Sequence, residues 1–277
     1  MLGLGTSILS PYVGKTGYDN THSLSLDGLG TGADVDALDT NTTLQSQLRD
    51  SYSFSLWVKL DEGQPSSSKY FIGAADQGKN IVSFGVTNSG LLTFIMTTFT
   101  SGTGTGRVLV SSNAAVFSSG ANDWTHLGVV TTETGGTSSH KLYVNGQEVA
   151  STAIFGLSAA QHSAYTSSVN IIFGGLNSSG TSSGGIDGLI DECAFFDDAL
   201  TDAEMLAIGG GGAPTDITGH DHLFLYYKLN NSTTDEVGNS NGSLAGQAAF
   251  STTTPVSYTH LRAHETSLHL VCRLLLE

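Results

Sequence analysis

The feature that most constrains this chain is a dense series of short runs in which apolar and polar residues alternate, each closed by a glycine or asparagine turn. Ser53-Phe54-Ser55-Leu56-Trp57-Val58-Lys59-Leu60 is the clearest. Side chains alternate across a strand, so Phe54, Leu56, Val58 and Leu60 share one face, and Ser55, Trp57 and Lys59 share the other. The same reading predicts strands at 23–26, 70–74, 81–87, 91–99, 107–111, 124–131, 169–173, 189–196 and 223–229. Asn88-Ser89-Gly90 signals a hairpin, and Asn145-Gly146 signals another, at residues that tolerate the positive φ angles of a type I′ turn. No helical pattern of useful length precedes residue 200. Regularly spaced short strands with glycine-rich turns predict an all-β chain folded as a two-sheet antiparallel sandwich.

Composition alone would not decide this. The chain has 35 glycines, many Ser and Thr and only 13% charged residues, which suits disorder as well as sheet. The 39% of apolar residues, set in alternating runs, favour a folded protein. The formal net charge is −15, from 25 acids against 10 Lys and Arg. That argues against nucleic acid, which is held by basic groups on phosphates, and against anionic membrane surfaces. It suits cations or neutral ligands. No run approaches the ~18 apolar residues of a membrane span. The start, MLGLGTSILSPYVGK, lacks the basic region of a secretory signal. Two cysteines, Cys193 and Cys272, imply no disulfide framework, and Cys193 reads as a small core residue.

Residues 1–20 read as an arm, 21–210 as the sandwich domain, and 211–255 as a C-terminal strand with an Asn/Ser/Gly-rich extension. Within the sandwich, Gly185–Phe196 reads as a strand entered through a glycine turn, and it carries two carboxylates, Asp191 and Glu192, among apolar residues. Alternation puts these two on opposite faces. A short helix follows, with Thr201 as its N-cap and Glu204 at the third position of a capping box.

The pieces SLSLDG, SFSLWVKLD, DWTHLGVV, HKLYVNGQEVAS, NIIFGG and GGIDGLIDECAFFDDALTDAEMLAI, in that order, resemble the laminin-G-like branch of the concanavalin A-like jelly-roll superfamily. The last piece is the most specific, with Cys193 where the family has Val. The resemblance implies a jelly roll with one short helix after the Ile-Asp-Glu strand. LYYKLNNSTTDEVGNSNGSLAG resembles a piece that commonly precedes such a domain; here it follows, either supplying closing strands or opening a second domain. The opening MLGLGTSI resembles virion structural proteins of marine tailed phages. Residues 256–277 resemble a translated sequencing-adapter read-through and are set apart from the functional reading.

Such domains often hold calcium at the sandwich edge, and the resemblance implies that Asp191, with Asp27 and a choice among Asp34, Asp36 and Asp187, supplies its oxygens. The plainer alternative has Asp191 accepting hydrogen bonds from a neighbouring loop, since a buried carboxylate needs partners of one kind or the other. Trp57, opposite the core face, is the candidate for stacking on a sugar ring, or else is covered by a loop. Trp124 stands where the family has a core tryptophan. Catalysis on this fold needs alternating carboxylates projecting from one strand face, and Ile190-Asp191-Glu192-Cys193 does not supply them. Gly73–Asn80 nearly matches a phosphate loop, Gly180–Gly184 matches a nucleophile elbow by letter, and His220-Asp221-His222 offers two imidazoles without a third ligand. The expectation is therefore a non-catalytic module, a phage virion component for adhesion or decoration that binds glycans with other virion proteins as partners. A carbohydrate-binding module of a secreted or surface bacterial protein is the alternative, and a glycoside hydrolase of this fold the third reading.

Overall fold

A computed structural model describes residues 18–29, 35–76, 80–100, 104–134, 137–155, 159–179 and 181–255. The alternating runs form the strands β1 (Ser23–Asp27), β2 (Ala37–Asp39), β3 (Tyr52–Leu60), β4 (Lys69–Asp76), β5 (Asn80–Val86), β6 (Leu92–Thr100), β7 (Gly104–Ser112), β8 (Thr125–Thr134), β9 (Thr137–Val144), β10 (Gln147–Val149) and β11 (Ser151–Phe155). A four-residue helical turn, α1 (Ala159–His162), then precedes β12 (Ile172–Phe173), β13 (Leu176–Ser178), β14 (Thr181–Ser183) and β15 (Asp187–Phe196). Helix α2 (Asp202–Gly209) follows, and β16 (Leu223–Tyr227), β17 (Ser243–Ala245) and β18 (Ala249–Ser251) close the described chain.

Two sheets stack face to face. One runs β10-β9-β8-β3-β15-β1-β18, with β16 paired to the second half of β15. The other runs β11-β7-β6-β5-β4-β12-β2-β17, with the β13–β14 hairpin attached to β4. Pairing is antiparallel except between β13 and β4. The architecture is the jelly-roll sandwich expected. Phe54, Leu56, Val58 and Leu60 do share a core face, and with Phe84, Phe94 and Met96 of the opposite sheet they lie in one buried cluster. Each such side chain contributes roughly 1.5–3 kcal/mol by leaving water.

A second, smaller cluster lies outside the eight-stranded sheet. Val130, Tyr143, Phe196 and Tyr226 on its outer face are covered by Leu200, Met205 and Ile208 of the α2 segment and by Ile217. The sequence sets this up locally. Thr201 accepts from the Glu204 backbone N–H at 3.2 Å, and the Glu204 carboxylate accepts from Thr201 N–H at 2.8 Å, completing the predicted capping box. At the β9–β10 hairpin tip, Asn145 (φ 49°) and Gly146 (φ 75°) adopt the predicted left-handed pair. A Cβ on Gly146 would stand 2.8 Å from both Leu206 Cα and Gly210 N, so only glycine lets the helix settle on the hairpin. Tyr143 and Lys141 of β9 donate to Asp202 at 2.6 and 2.9 Å and fix the helix start.

Residues 211–255 are built into both sheets: β16 pairs with β15, β18 with β1, and β17 with β2. The Asn/Ser/Gly-rich stretch is organised by Asp235, a buried carboxylate that accepts from the backbone N–H groups of Tyr226, Val237, Asn239 and Ser240. The sequence near-matches resolve into plain strands. Gly73–Asp76 ends β4 and Asn80 begins β5, so the phosphate-loop resemblance lies in a hairpin with no helix after it; residues 77–79 of that string lie outside the described ones. Thr181–Ser183 of the elbow string is β14, and Gly180 lies outside the described residues.

Candidate functional site

Strand β15 changes partner midway. Leu24–Asp27 of β1 lie beside Asp187–Ile190, and β16 lies beside Cys193–Phe196. On its other edge, Asp191 faces Trp57 and Ala194 faces Ser55, so three steps on β15 match two on β3. The extra residue makes a β-bulge at Glu192, whose φ is +51°. A non-glycine residue in that region costs of the order of 1–2 kcal/mol and persists only where its surroundings hold it. The bulge overturns the alternation expected from sequence. Asp191 shares the outer face with Trp57, and Glu192 is turned to the same side, where Tyr226 belongs to the outer cluster and donates to it.

Both carboxylates are buried, Asp191 at 0% and Glu192 at 5% exposure. Glu192 accepts hydrogen bonds from the Tyr18 and Tyr226 hydroxyls. Asp191 accepts from Asn20 Nδ2 at 2.7 Å and from the Glu192 N–H at 2.9 Å. Lys228 Nζ lies 5.3 Å above the Tyr18 ring and 5.6 Å from the Tyr226 ring, and it also meets Asp216 and Glu236 at 3.3 and 3.5 Å. Asn230 Oδ1 accepts from the Thr21 and His22 N–H groups at 2.7 and 3.1 Å, fixing the segment before β1. Burial pushes the Asp191 carboxyl up to about 8, against the Asn20 and Glu192 hydrogen bonds that favour its charged form. Burial and then the neighbouring Asp191 charge raise Glu192 well above the carboxylate range. Two like charges this close do not both ionise, so the pair retains a proton at neutral pH. A raised carboxyl often marks catalysis. Here Tyr18, Asn20 and Tyr226 enclose both groups, so the pair acts as a buried latch that ties residues 18–22 and β16 to β15.

Of the acids named for calcium, the four described ones do not gather around one point. Asp191 lies four residues from Asp187, ~13 Å along a strand. Asp36 spends its oxygens on the Asp27 N–H, at 2.9 Å, and the Gln247 N–H. Asp27 and Asp187 pair across β1 and β15, and Asp61, which sequence reading missed, lies beside them. Burial first, then Asp61 and Asp27, raise the Asp187 carboxyl, while Lys69 opposes them. Asp34 lies outside the described residues. Among the described residues no three His, Cys, Asp or Glu side chains form a group that could hold a metal ion. The four of these acids that are described do not fit one calcium ion.

Trp57 does not present its ring either. It is 2% exposed and meets His126 edge-on at 5.5 Å. His126, bound to Ser55 Oγ at 2.8 Å, lies directly under α2: a Cβ on Gly209 would stand 2.0 Å from its ring. The sugar-stacking role for Trp57 is therefore corrected in favour of the covered alternative, because its ring is buried against His126. Trp124, expected in the core, is half-buried just before β8. His220 is buried with Nδ1 on the Asp221 carbonyl, whereas His222 is exposed beside Asp197 and Asp198, so the two imidazoles serve separate partners.

The outer face of the ten-stranded sheet differs. Register aligns Gly73, Ser83, Ile95 and Leu109 in one row across β4 to β7, and Ala75, Ile81, Thr97 and Arg107 in the next. Gly85, Thr93, Ser111 and Thr152 form a third. Ile81, Thr93, Ile95, Leu109 and Ser111 are half-exposed and Arg107 is exposed. The β13–β14 hairpin borders this face, with Leu176 against Gly73.

The family pattern of the concanavalin A-like lectin/glucanases superfamily, in its third laminin G form, matches residues 29–205. The chain belongs to this superfamily. Among solved structures it resembles a putative carbohydrate binding protein from Bacteroides ovatus, with a TM-score of 0.55 at 15% identity. That match covers 87% of this chain and 62% of that one, so the chain spans under two thirds of its length. A heptameric SAP-like pentraxin from Limulus polyphemus matches with a TM-score of 0.54 at 13% identity, over 85% of this chain and 97% of that one. At such identities the likeness shows the fold. No curated protein matches the sequence.

Proposed function

We propose that this chain is a non-catalytic glycan-binding module whose ligand lies on the outer face of the ten-stranded sheet. One observation carries the reading: among the described residues, one outer face is covered by α2 and the other keeps a half-exposed row of side chains. The open face combines what a neutral glycan needs. Thr93 and Ser111 offer hydroxyls, Ile81, Ile95 and Leu109 offer apolar surface for ring C–H groups, and Arg107 stands exposed beside them. Membership of a lectin-bearing superfamily supports the ligand class. The enclosed Asp191–Glu192 pair supports the non-catalytic part, since no substrate reaches it. Calcium has no step in this reading, because the described acids among those named do not gather.

The proposed setting is a virion, as an adhesion or decoration component among other virion proteins, on the resemblance of residues 1–8. A secreted or surface bacterial module would use the same face. Gene neighbours on the contig, capsid and tail genes against polysaccharide-degradation genes, separate the two.

A glycan array tests the ligand. Wild type should bind, Ile95→Glu should lose binding at least tenfold, and Leu206→Glu, on the exposed side of α2, should bind as wild type does. No binding by wild type would sink the glycan reading. Measurable glycan hydrolysis would overturn the non-catalytic one.

A further inference from the structure

A cleft of about 190 Å³ lies where the chain leaves β10 of one sheet for β11 of the other. It is lined by Ala114, Ala115 and Val116, which follow β7, and by Val149 and Ala150. Val116 and Val149 are half-buried and pack on the main core, while the three alanines are exposed. Asn113 also lines the cleft, and no charged residue does. The lining is held by fixed hydrogen bonds. Asn113 N–H donates to the Ala150 carbonyl at 2.9 Å, and Val116 N–H donates to the Gly90 carbonyl at 2.8 Å. Buried Ser112 donates from Oγ to the Ala114 carbonyl at 2.9 Å and accepts from Leu92 N–H at 3.0 Å. A cleft set by such bonds orders little on binding, which favours affinity.

The cleft adjoins the open sheet face. Thr152 pairs with Ser111 in the third row of that face, and its Oγ1 donates to Asn113 Oδ1 at 2.6 Å. With Oδ1 taken, Asn113 offers the two donors of Nδ2. Clefts that enclose a drug-sized ligand measure roughly 300–1,000 Å³. This one suits a small group carried on a longer glycan. Its apolar lining disfavours a hydroxyl, which would give up water without gaining a partner. It favours a methyl, and an amide donor beside it favours a carbonyl next to that methyl. A methyl joined to a carbonyl is an acetyl group.

We infer that this cleft is a subsite for the acetyl group of an acetylated glycan, with the methyl among Val116, Val149 and the alanines and the carbonyl on Asn113 Nδ2. The inference rests on the glycan-binding reading of the neighbouring face and narrows its ligand. An acetamido sugar and an O-acetylated one share this chemistry, and the test separates them.

The full chain is placed on an array of matched glycans in two series. In one, hexoses with a 2-acetamido group are paired with their 2-hydroxyl counterparts. In the other, the same glycans stand with and without O-acetyl groups. Wild type should prefer the acetylated member about tenfold or more in one series, the effect of ~1.4 kcal/mol, and that series identifies the carrier. Ala115→Phe fills the cleft from an exposed position and should bring the ratio close to one. Asn113→Ala, a second exposed variant, should lower it without filling the cleft. Leu206→Glu, on α2, should keep the wild-type ratio. Equal binding of both members in both series, or a ratio unchanged in Ala115→Phe and Asn113→Ala, overturns the subsite and leaves the glycan face standing. Binding of no glycan overturns both.

Discussion

On the outer face of the eight-stranded sheet, Val130, Tyr143 and Phe196 are buried beneath α2 and the segments around it, and His126 lies under Gly209. On the outer face of the ten-stranded sheet, Ile81, Ile95 and Leu109 stand half-exposed among Gly, Ser and Thr. Both faces come from the same period-2 alternation, so pattern alone does not separate them. Side-chain size does. The covered face carries large rings that a helix can bury, and the open face carries small and hydroxylated side chains. One face contributes to stability through packing, while side chains of the other stand half in water.

That contrast can be broken or sharpened by experiment. The largest effect is expected from Met205→Ala, which empties the seam between α2 and Gly128. Loss of a buried methionine side chain costs roughly 2–5 kcal/mol, and urea unfolding measures it. A loss under about 0.5 kcal/mol, the range of ordinary surface changes, would mean that the helix is not packed as described.

The acid latch comes next. The Asp191 carboxyl titrates near 8 in the folded chain and near 3.8 when unfolded. The folded state therefore holds a proton that the unfolded state has lost across that interval, and stability falls as pH rises through it. Buried His126 and His140 have lowered values and act in the opposite sense, but their contribution is complete above about pH 6.5. Between pH 6.5 and 8 the wild type should lose about 1–2 kcal/mol, and Asp191→Asn should flatten that slope. Equal slopes in the two proteins would exclude Asp191 as its source.

Thr201→Ala removes the cap of α2 and should cost about 1 kcal/mol, read as a lower unfolding midpoint at unchanged m-value. The smallest effect belongs to the open face. Ile95→Ala should cost under about 1 kcal/mol because the side chain is already half in water. A cost matching that of Met205→Ala would show that face to be covered after all.

Much of the fold was legible in the sequence. The strand alternation, the Asn145-Gly146 turn and the Thr201/Glu204 capping box are local signals, each decided by neighbours a few residues apart. Residues 223–251 were harder, because which sheet a short strand joins depends on partners about 200 residues away, as with β17 on β2 and β18 on β1. The candidate sites were less legible still. Sequence reading left Trp57 either stacking on a sugar or covered by a loop, and took Trp124 as the core tryptophan. The structure buries Trp57 against His126 of β8 and leaves Trp124 half-buried, an outcome set by the pairing of β3 with a strand about 70 residues later. Asp191 and Glu192 were singled out correctly as unusual in an apolar strand, but one inserted residue in the β3–β15 register put both on the same side.

The sequence by itself determined which segments are strands, where the hairpins turn and where α2 starts, because propensity, turn chemistry and capping act over a few residues. Only the tertiary structure decided which outer face α2 covers and which acids meet. Those outcomes depend on register and on contacts between distant segments, where a shift of one residue moves a side chain to the other face.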